Sequence, residues 1–178
     1  MLSRRQFAAL VSAAALQRAR AATAPTTLRL SRLDHVSLSV TDNVKTMDFF
    51  SKVFGNNTAK ENQNSRRYVQ IGNAYLALGV PGEGRPTGYI DHYCAGVRGQ
   101  QVADIKTVLT AKQVKFSEPP PFGIFIPDPT AISVQLWTEN SFEDVLHTSS
   151  MLDAGDKPGF VKPTGIDHLA IQVTDPAQ

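Results

Sequence analysis

The 178-residue chain is poor in cysteine and tryptophan, with one residue of each. A single cysteine excludes an intrachain disulfide and a zinc site built from several thiolates. Cys94 lies inside an apolar strand pattern, so we expect a small buried side chain rather than a reactive thiol. The N-terminal apolar run, residues 8–16, is about half as long as the roughly 20 residues that a membrane-spanning helix needs.

The chain also lacks a basic stripe with interleaved aromatic residues. Its formal net charge is +2, but four arginines lie within the first twenty residues: Arg4, Arg5, Arg18 and Arg20. Without those four positive charges the net charge becomes −2. The basic isoelectric point is therefore a poor argument for nucleic acid as a partner, and we expect none.

Residues 1–24 read as an export signal rather than as part of a domain. A positive start is followed by a short apolar core and by the small-x-small site Ala19-Arg20-Ala21. The segment Ser3-Arg4-Arg5-Gln6-Phe7 resembles a twin-arginine signal. We therefore expect a periplasmic or other extracytoplasmic protein with no stable membrane anchor after signal removal, and a short leader over residues 25–31. The alternative is a basic amphipathic helix that stays attached.

Three segments of the chain repeat one pattern, an aliphatic residue, Asp-His and a strand-like run ending in valine. They are Leu33–Val40, Ile90–Val97 and Ile166–Val173. After each of the first two, apolar residues at helical spacing predict a helix, which then gives way to short strands. The predicted strands are 57–63, 68–72 and 74–80, then 114–118, 123–127 and 132–138. The unit is strand, helix, three strands, used in modules 32–82 and 88–140.

Period-two alternation predicts which strand residues face a shared hollow. Two such modules side by side bury a helix each and leave one concave sheet face free. On that face we place polar residues and one tryptophan: His35, Ser37, Ser39, His92, Cys94, Ser133, Gln135 and Trp137.

This repeat, with a histidine in each first strand, resembles the vicinal oxygen chelate superfamily of glyoxalase I, extradiol dioxygenases and bleomycin-resistance proteins. The resemblance covers about residues 32–140. It implies an α+β fold in which paired βαβββ modules form an open, curved, mixed β-sheet with helices on its outer face.

The resemblance also implies a metal site. Metal-using members take ligands from the first strand of each module and the last strand of the second, which here are His35, His92 and Gln135. The family usually has glutamate at that last position. Glutamine is a weaker, neutral ligand and cannot serve as a general base. The implied cofactor is a divalent ion such as Fe, Mn, Ni or Zn.

Three functional hypotheses follow from the resemblance. The first is a divalent-metal-dependent lyase or dioxygenase acting on a small oxygen-chelating substrate. The second is a metal-free binding protein, like the bleomycin-resistance proteins, that holds an apolar or aromatic ligand. The third gives the histidines only a structural role. The expected substrate-binding residues are Ser37, Tyr68, Cys94, Ser133 and Trp137, and the sequence identifies no catalytic residue beyond the metal ligands.

The third Asp-His copy begins a further module that is incomplete in this chain. Residues 141–164 would be a linker, partly helical near Phe142, with His147 at the surface, and residues 165–178 would hold the first strand of that module. We expect this strand to be poorly anchored. Its partner would be a further module, an edge of the sheet or a second subunit of a homodimer.

Overall fold

The computed structural model describes residues 25–55, 57–119, 123–129, 132–138, 142–153 and 159–171. The predicted export signal, residues 1–24, lies outside these ranges. None of the described helices is long and apolar enough to cross a membrane.

The described elements follow the predicted modular order. The first module contains β1 (Leu30–Ser39), α1 (Asn43–Phe54), β2 (Thr58–Glu61), β3 (Arg67–Ile71) and β4 (Ala74–Gly79). The second contains β5 (Tyr89–Val97), α2 (Val102–Ala111), β6 (Ile124–Pro127) and β7 (Ser133–Thr138). The chain continues with α3 (Phe142–Val145) and β8 (Ser149–Asp153).

One mixed sheet joins the two modules, in the order β6-β7-β5-β1-β4-β3-β2-β8. Within each module the first strand pairs in parallel with the last, β1 with β4 and β5 with β7. The first strands of the two modules, β1 and β5, pair antiparallel at the centre of the sheet. The predicted α+β architecture of paired modules on an open mixed sheet is therefore confirmed.

Both long helices pack on the same, outer face of the sheet. Asp42 caps α1 by accepting hydrogen bonds from the backbone N–H groups of Val44 and Lys45, and Gly55 ends it in the left-handed conformation. The buried residues of α1 and α2 meet apolar residues from their own module's strands. The core clusters are Met47, Val69, Ile71 and Leu78 in the first module and Val97, Ile105, Leu109, Ile124 and Leu136 in the second.

Among the described residues of the second module, two regular strands follow the helix, where three were predicted. Residues 114–118 form only an isolated bridge, between Ser117 and Phe125. Proline at positions 119 and 120 follows immediately, and proline has no N–H group to donate to a strand ladder. The predicted strand is thus reduced to one bridging residue.

The described parts of the predicted linker, residues 142–153 and 159–164, pack against the first module. The expected short helix is present as α3, but residues 149–153 form β8, which pairs antiparallel with β2 at the outer edge of the first module. His147 is exposed, as predicted. The connection therefore crosses from β7 to the far edge of the sheet.

The predicted third Asp-His strand is not formed over residues 166–171, which are neither helix nor strand; residues 172–178 lie outside the described ranges. Residues 159–166 dock on α1 and on the β3–β4 turn. The Val161 N–H donates to the Val53 carbonyl, and the Asn73 N–H donates to the Thr164 carbonyl. Ile166 packs on the core cluster of the first module. The segment is thus anchored as far as residue 166, whereas the weak anchoring expected for the rest of the predicted strand stays a prediction.

Candidate metal centre

A β-bulge in β1 sets the position of the first Asp-His pair. Leu33 pairs with Ala95 and His35 pairs with the preceding residue, Cys94, so Asp34 is an extra residue in the ladder. A bulge re-aims side chains that would otherwise alternate. As a result the Asp34 carboxylate accepts a hydrogen bond from His35 Nδ1 at 2.9 Å, and both side chains are buried.

The second module repeats this arrangement. Ser37 pairs with His92 and Leu38 pairs with Ile90, so Asp91 is the extra residue in β5. The Asp91 carboxylate lies 2.7 Å from His92 Nδ1, and Asp91 is half exposed. The antiparallel β1–β5 pair therefore carries two equivalent, carboxylate-backed histidines.

The two imidazoles face each other through their remaining nitrogens, with His35 Nε2 and His92 Nε2 3.4 Å apart. A carboxylate beside Nδ1 assigns the ring proton to that nitrogen, so both Nε2 atoms present lone pairs. Two lone pairs at this distance repel unless a proton or a cation lies between them. Two nitrogens bound at about 2.1 Å to one tetrahedral ion stand roughly 3.4 Å apart. The histidine pair therefore fits a divalent metal ion.

Gln135, the third predicted ligand, lies on the strand next to β5. Gln135 on β7 pairs with Cys94 on β5, and Cys94 pairs with His35 on β1. Gln135 is buried, and its side chain is close enough to His35 to raise the pKa of that imidazole. All three predicted ligands therefore meet at the centre of the sheet.

The electrostatics of His35 suit metal binding. Burial lowers the pKa of His35, while the Asp34 carboxylate opposes that shift by stabilising the charged ring. The imidazole is therefore held neutral, which is the form that binds a metal ion.

A second group of buried donors lies close by, formed by Asp34, His35 and Cys94, whose donor atoms are all within 4.8 Å of one another. Burial raises the pKa of the Cys94 thiol well above its usual value, so the sulfur keeps its proton in the metal-free protein. Asp34 is already used by His35 Nδ1. We therefore favour the paired Nε2 atoms as the ligands.

The two modules align residue by residue across the site, and the alignment shows why only one of the two last strands carries a predicted ligand. Tyr75 on β4 pairs with His35, whereas Ser133 on β7 pairs with His92. Two residues further along each strand, Gln135 occupies the position held in the first module by Ala77. The second module thus provides an amide where the first provides a methyl group.

Large side chains fill the first-module half of the concave face. The Tyr75 ring stacks on His35, with centroids 4.6 Å apart and planes 20° from parallel. Phe142 of α3 packs on Tyr75 at 6.4 Å, and Tyr68 lies 5.9 Å from Tyr75. Helix α3 therefore closes this half of the hollow.

Tyr68, predicted to bind substrate, belongs to this packed cluster. It is 8% exposed, and its hydroxyl donates to the buried Glu61 carboxylate at 3.0 Å. The sequence did not reveal that Phe142, Val145 and Leu146 pack in the same cluster as Tyr68. Its ring belongs to the core cluster under α3, and its role in substrate binding stays a prediction.

The second-module half is more open. Ser133 and Trp137, both predicted substrate-binding residues, are half-buried, while Ser37 and Cys94 are buried beside the histidines. Phe125 on β6 was not predicted as a site residue, yet its ring lies 5.2 Å from the His92 ring at an interplanar angle of 79°. Phe125 lies between Ile124 and Ile126 in one strand, so period-two alternation could have predicted that its side chain faces the hollow.

The third Asp-His pair stands outside this centre. Asp167 accepts a hydrogen bond from His168 Nδ1 at 3.0 Å, as in the other two copies, but the His168 side chain is 81% exposed. The Asp-His contact is therefore a property of the local motif, and burial of the ring depends on the β1–β5 pair.

No protein-family model and no curated protein matches the sequence. Solved structures share its fold. A catechol 2,3-dioxygenase aligns with a TM-score of 0.58 and 14% identity over 83% of this chain and 54% of the dioxygenase. The 2,3-dioxygenase LapB from Pseudomonas sp. KL28 aligns at 0.50 and 16% identity, over 65% of this chain and 42% of LapB.

A third structure is a variant of the methylmalonyl-CoA epimerase from Streptomyces coelicolor, in complex with 2-nitronate-propionyl-CoA. It aligns at 0.50 and 18% identity, over 64% of this chain and all of the epimerase. At these identities the similarity shows a shared fold. The present chain spans about half the length of the catechol dioxygenase.

Proposed function

We propose that this chain, which has the vicinal oxygen chelate fold, is a metal-dependent enzyme that acts on a small substrate with two neighbouring oxygen atoms. The observation that carries the proposal is the pair of Nε2 atoms 3.4 Å apart, each on a ring whose other nitrogen is bonded to a carboxylate. The likeness in fold to dioxygenases and an epimerase supports it.

In this proposal His35, His92 and Gln135 hold the ion. A bound divalent ion supplies a positive charge that polarises the substrate oxygens. Asp34 and Asp91 keep the ring protons on Nδ1, which orients both rings and raises their basicity. Gln135 is neutral and accepts no proton near pH 7. Lewis-acid chemistry of the lyase or dioxygenase type therefore fits this donor set better than a mechanism that needs a carboxylate base.

Metal content of the purified full chain tests this function. We expect about one Fe, Mn, Ni or Zn ion per chain by elemental mass spectrometry, and loss of most of it in His35→Ala and in His92→Ala. His168→Ala is the matched control, since His168 sits in the same Asp-His motif but is exposed, and it should keep the metal.

The reverse result would support the metal-free binding protein. A wild-type chain that takes up no metal, together with a Gln135→Glu variant that does, would show that the site requires the missing carboxylate. Metal retained in His35→Ala and His92→Ala would place the ion elsewhere and refute the proposed ligands.

We also propose that residues 1–24 direct export through the twin-arginine route to an extracytoplasmic compartment. The sequence Ser3-Arg4-Arg5-Gln6-Phe7 supports this. Fractionation of cells expressing the full chain should place the protein outside the cytoplasm. The double variant Arg4→Lys, Arg5→Lys should accumulate inside, whereas Arg18→Lys should not. Equal export of both variants would refute the signal.

A further inference from the structure

We infer that the outer surface of α1 docks on a membrane that contains anionic lipids, through an apolar patch formed by Phe49, Val53, Phe160 and Val161 and through the lysines around it. The inference is independent of the proposed metal chemistry, because α1 packs on the face of the sheet opposite the hollow. Docking here would hold the protein at a lipid surface and leave the hollow free.

One part of the patch is a side of α1. Phe49 is 60% exposed, although Asn43 and Met47 of the same helix are buried against the sheet. Val53 lies one turn further along α1, on the same side as Phe49, and is half-buried. The two residues give α1 an apolar strip that faces solvent.

The segment that docks beside α1 extends this strip. The Val161 N–H donates to the Val53 carbonyl at 3.0 Å, and a Cβ atom at Gly159 would lie 2.2 Å from the Phe54 carbonyl carbon. Both contacts hold the backbone of this segment against the helix. Phe160 lies between them, yet it is 89% exposed, and Val161 is 49% exposed. The ring of Phe160 is thus fixed beside α1 while it remains in water, where its burial would be favourable.

Lysines surround the patch. Lys45 precedes Phe49 by four residues and Lys52 follows it by three, so both lie beside the phenylalanine on the helix surface. Lys162 follows Val161 directly. All three lysines are exposed, so their ammonium groups are free to reach a negatively charged surface.

The acidic residues of α1 and its N-cap lie to the side of the patch. Asp48 is turned about 100° from Phe49 around the helix axis and about 140° from Val53. Asp42 lies about 10 Å along the axis from Phe49, where its carboxylate is 3.6 Å from the Lys45 ammonium. The surface immediately around the patch is therefore predominantly positive.

An apolar centre with a positive rim is complementary to an anionic bilayer. Phenylalanine rings bury themselves at the boundary between headgroups and acyl chains, while the lysines interact with the phosphates. Each lysine near an anionic surface strengthens binding about fivefold. A second copy of this chain would bring two positive rims together, which disfavours self-association through the same patch.

The single buried cysteine permits a site-specific test on the full chain. Cys94 is 0% exposed, so a cysteine introduced at the surface can be labelled selectively with the fluorophore NBD. Phe160→Cys places the label in the patch, and Met151→Cys, at a residue of β8 that is 45% exposed, is the matched control. Because the signal is local, it is separate from any binding of residues 1–24 to the lipid.

The vesicles contain one part phosphatidylglycerol to three parts phosphatidylcholine. We expect the emission of the label at residue 160 to shift to the blue and to rise at least twofold on their addition, and that of the label at residue 151 to stay unchanged. Vesicles of phosphatidylcholine alone should change neither label.

Two double variants test the role of the lysines. In the Phe160→Cys chain, Lys52→Gln with Lys162→Gln should raise the apparent Kd for the anionic vesicles about 25-fold. Lys112→Gln with Lys115→Gln makes the same change in net charge on the exposed surface of the second module and should raise it less than twofold.

Phe49→Ser tests the apolar contribution and should raise the same Kd about tenfold. An unchanged emission at residue 160, or equal shifts at residues 160 and 151, would overturn the inference. Equal losses in the two lysine double variants would also overturn it, because net charge and not the patch would then control binding. A blue shift at residue 160 that grows with protein concentration without vesicles would show that a second copy covers the patch instead.

Discussion

His35 Nε2 and His92 Nε2 lie 3.4 Å apart across the antiparallel β1–β5 pair. Each ring is turned by an aspartate that occupies a bulge immediately before the histidine. The opposite nitrogens are bonded to carboxylates, and in the proposed function the facing nitrogens share one cation. Four predictions concern this centre and the elements that hold it.

The two aspartates should differ in their effect on metal affinity. Asp34 is 1% exposed, whereas the Asp91 side chain is 50% exposed, so solvent screens the second charge more. We expect Asp34→Asn to lower metal affinity about 10–100-fold and Asp91→Asn by less than about tenfold. Competition with a fluorescent chelator measures both. Asp167→Asn, in the exposed third motif, is the control, and equal losses in Asp34→Asn and Asp91→Asn would contradict the role of burial.

Removing the Phe142 side chain of α3, which covers the first-module half of the concave face, should lower the free energy of unfolding substantially. Phe142 is 3% exposed and packs on Tyr75 in the core cluster. We expect Phe142→Ala to lower the free energy of unfolding by about 3–5 kcal/mol, measured by urea denaturation. Phe160→Ala should change it by less than about 0.5 kcal/mol, because Phe160 is exposed. A small effect of Phe142→Ala would mean that α3 does not hold this face closed.

Gly72 and Gly84 both have positive φ. Comparing their alanine variants distinguishes the cost of backbone strain from the cost of displacing residues 159–166. Gly72 (φ +60°) and Gly84 (φ +77°) both disfavour a side chain, but only at Gly72 would a Cβ atom collide with another segment, 2.1 Å from the Thr164 carbonyl carbon. We expect Gly84→Ala to cost about 1–2 kcal/mol of unfolding free energy.

Gly72→Ala should cost clearly more than Gly84→Ala and should also increase hydrogen exchange of the Asn73 and Val161 amides, which donate to and from the docked segment. Equal costs at the two glycines, with unchanged exchange, would show that the docking of residues 159–166 contributes nothing to stability.

The raised pKa of Tyr68 should make the free energy of unfolding fall at alkaline pH. Burial, helped by the negative charge of Glu61, raises the pKa of Tyr68 to about 12, above the value of about 10 in an unfolded chain. The unfolded state then loses its proton first, so this contribution to stability is complete below about pH 10 and disappears as the pH rises towards 12. Urea midpoints at pH 9, 10 and 11 should fall more steeply in the wild type and in Tyr89→Phe than in Tyr68→Phe. Parallel slopes in all three would refute the assignment.

Much of the modular plan could be predicted from the residues. Asp42 and Gly55 bracket α1 as local chemistry requires, and the repeated Asp-His strands identified His35 and His92 as equivalent residues on one face. Alternation placed Gln135 beside them. These predictions succeeded because capping, periodicity and repetition act over a few residues.

Other features depended on long-range contacts. Nothing local in residues 142–153 reveals that they cover Tyr68 and Tyr75 and extend the sheet beyond β2. The third Asp-His copy has the same local pattern as the first two, yet it docks beside α1 and leaves His168 exposed. A strand forms only where a partner strand is available, and the partner cannot be predicted from the sequence of the segment itself.

The amino-acid sequence alone therefore determined the repeated units and the Asp-His pairs, because each is a property of neighbouring residues. The assignment of His35, His92 and Gln135 as metal ligands came from the family resemblance and stays a prediction. Tertiary structure decided that two of the three pairs converge on 3.4 Å and that the third does not. It also decided that one half of the hollow is filled by the chain itself. Both features join segments that lie far apart in the chain, and only tertiary packing brings such segments together.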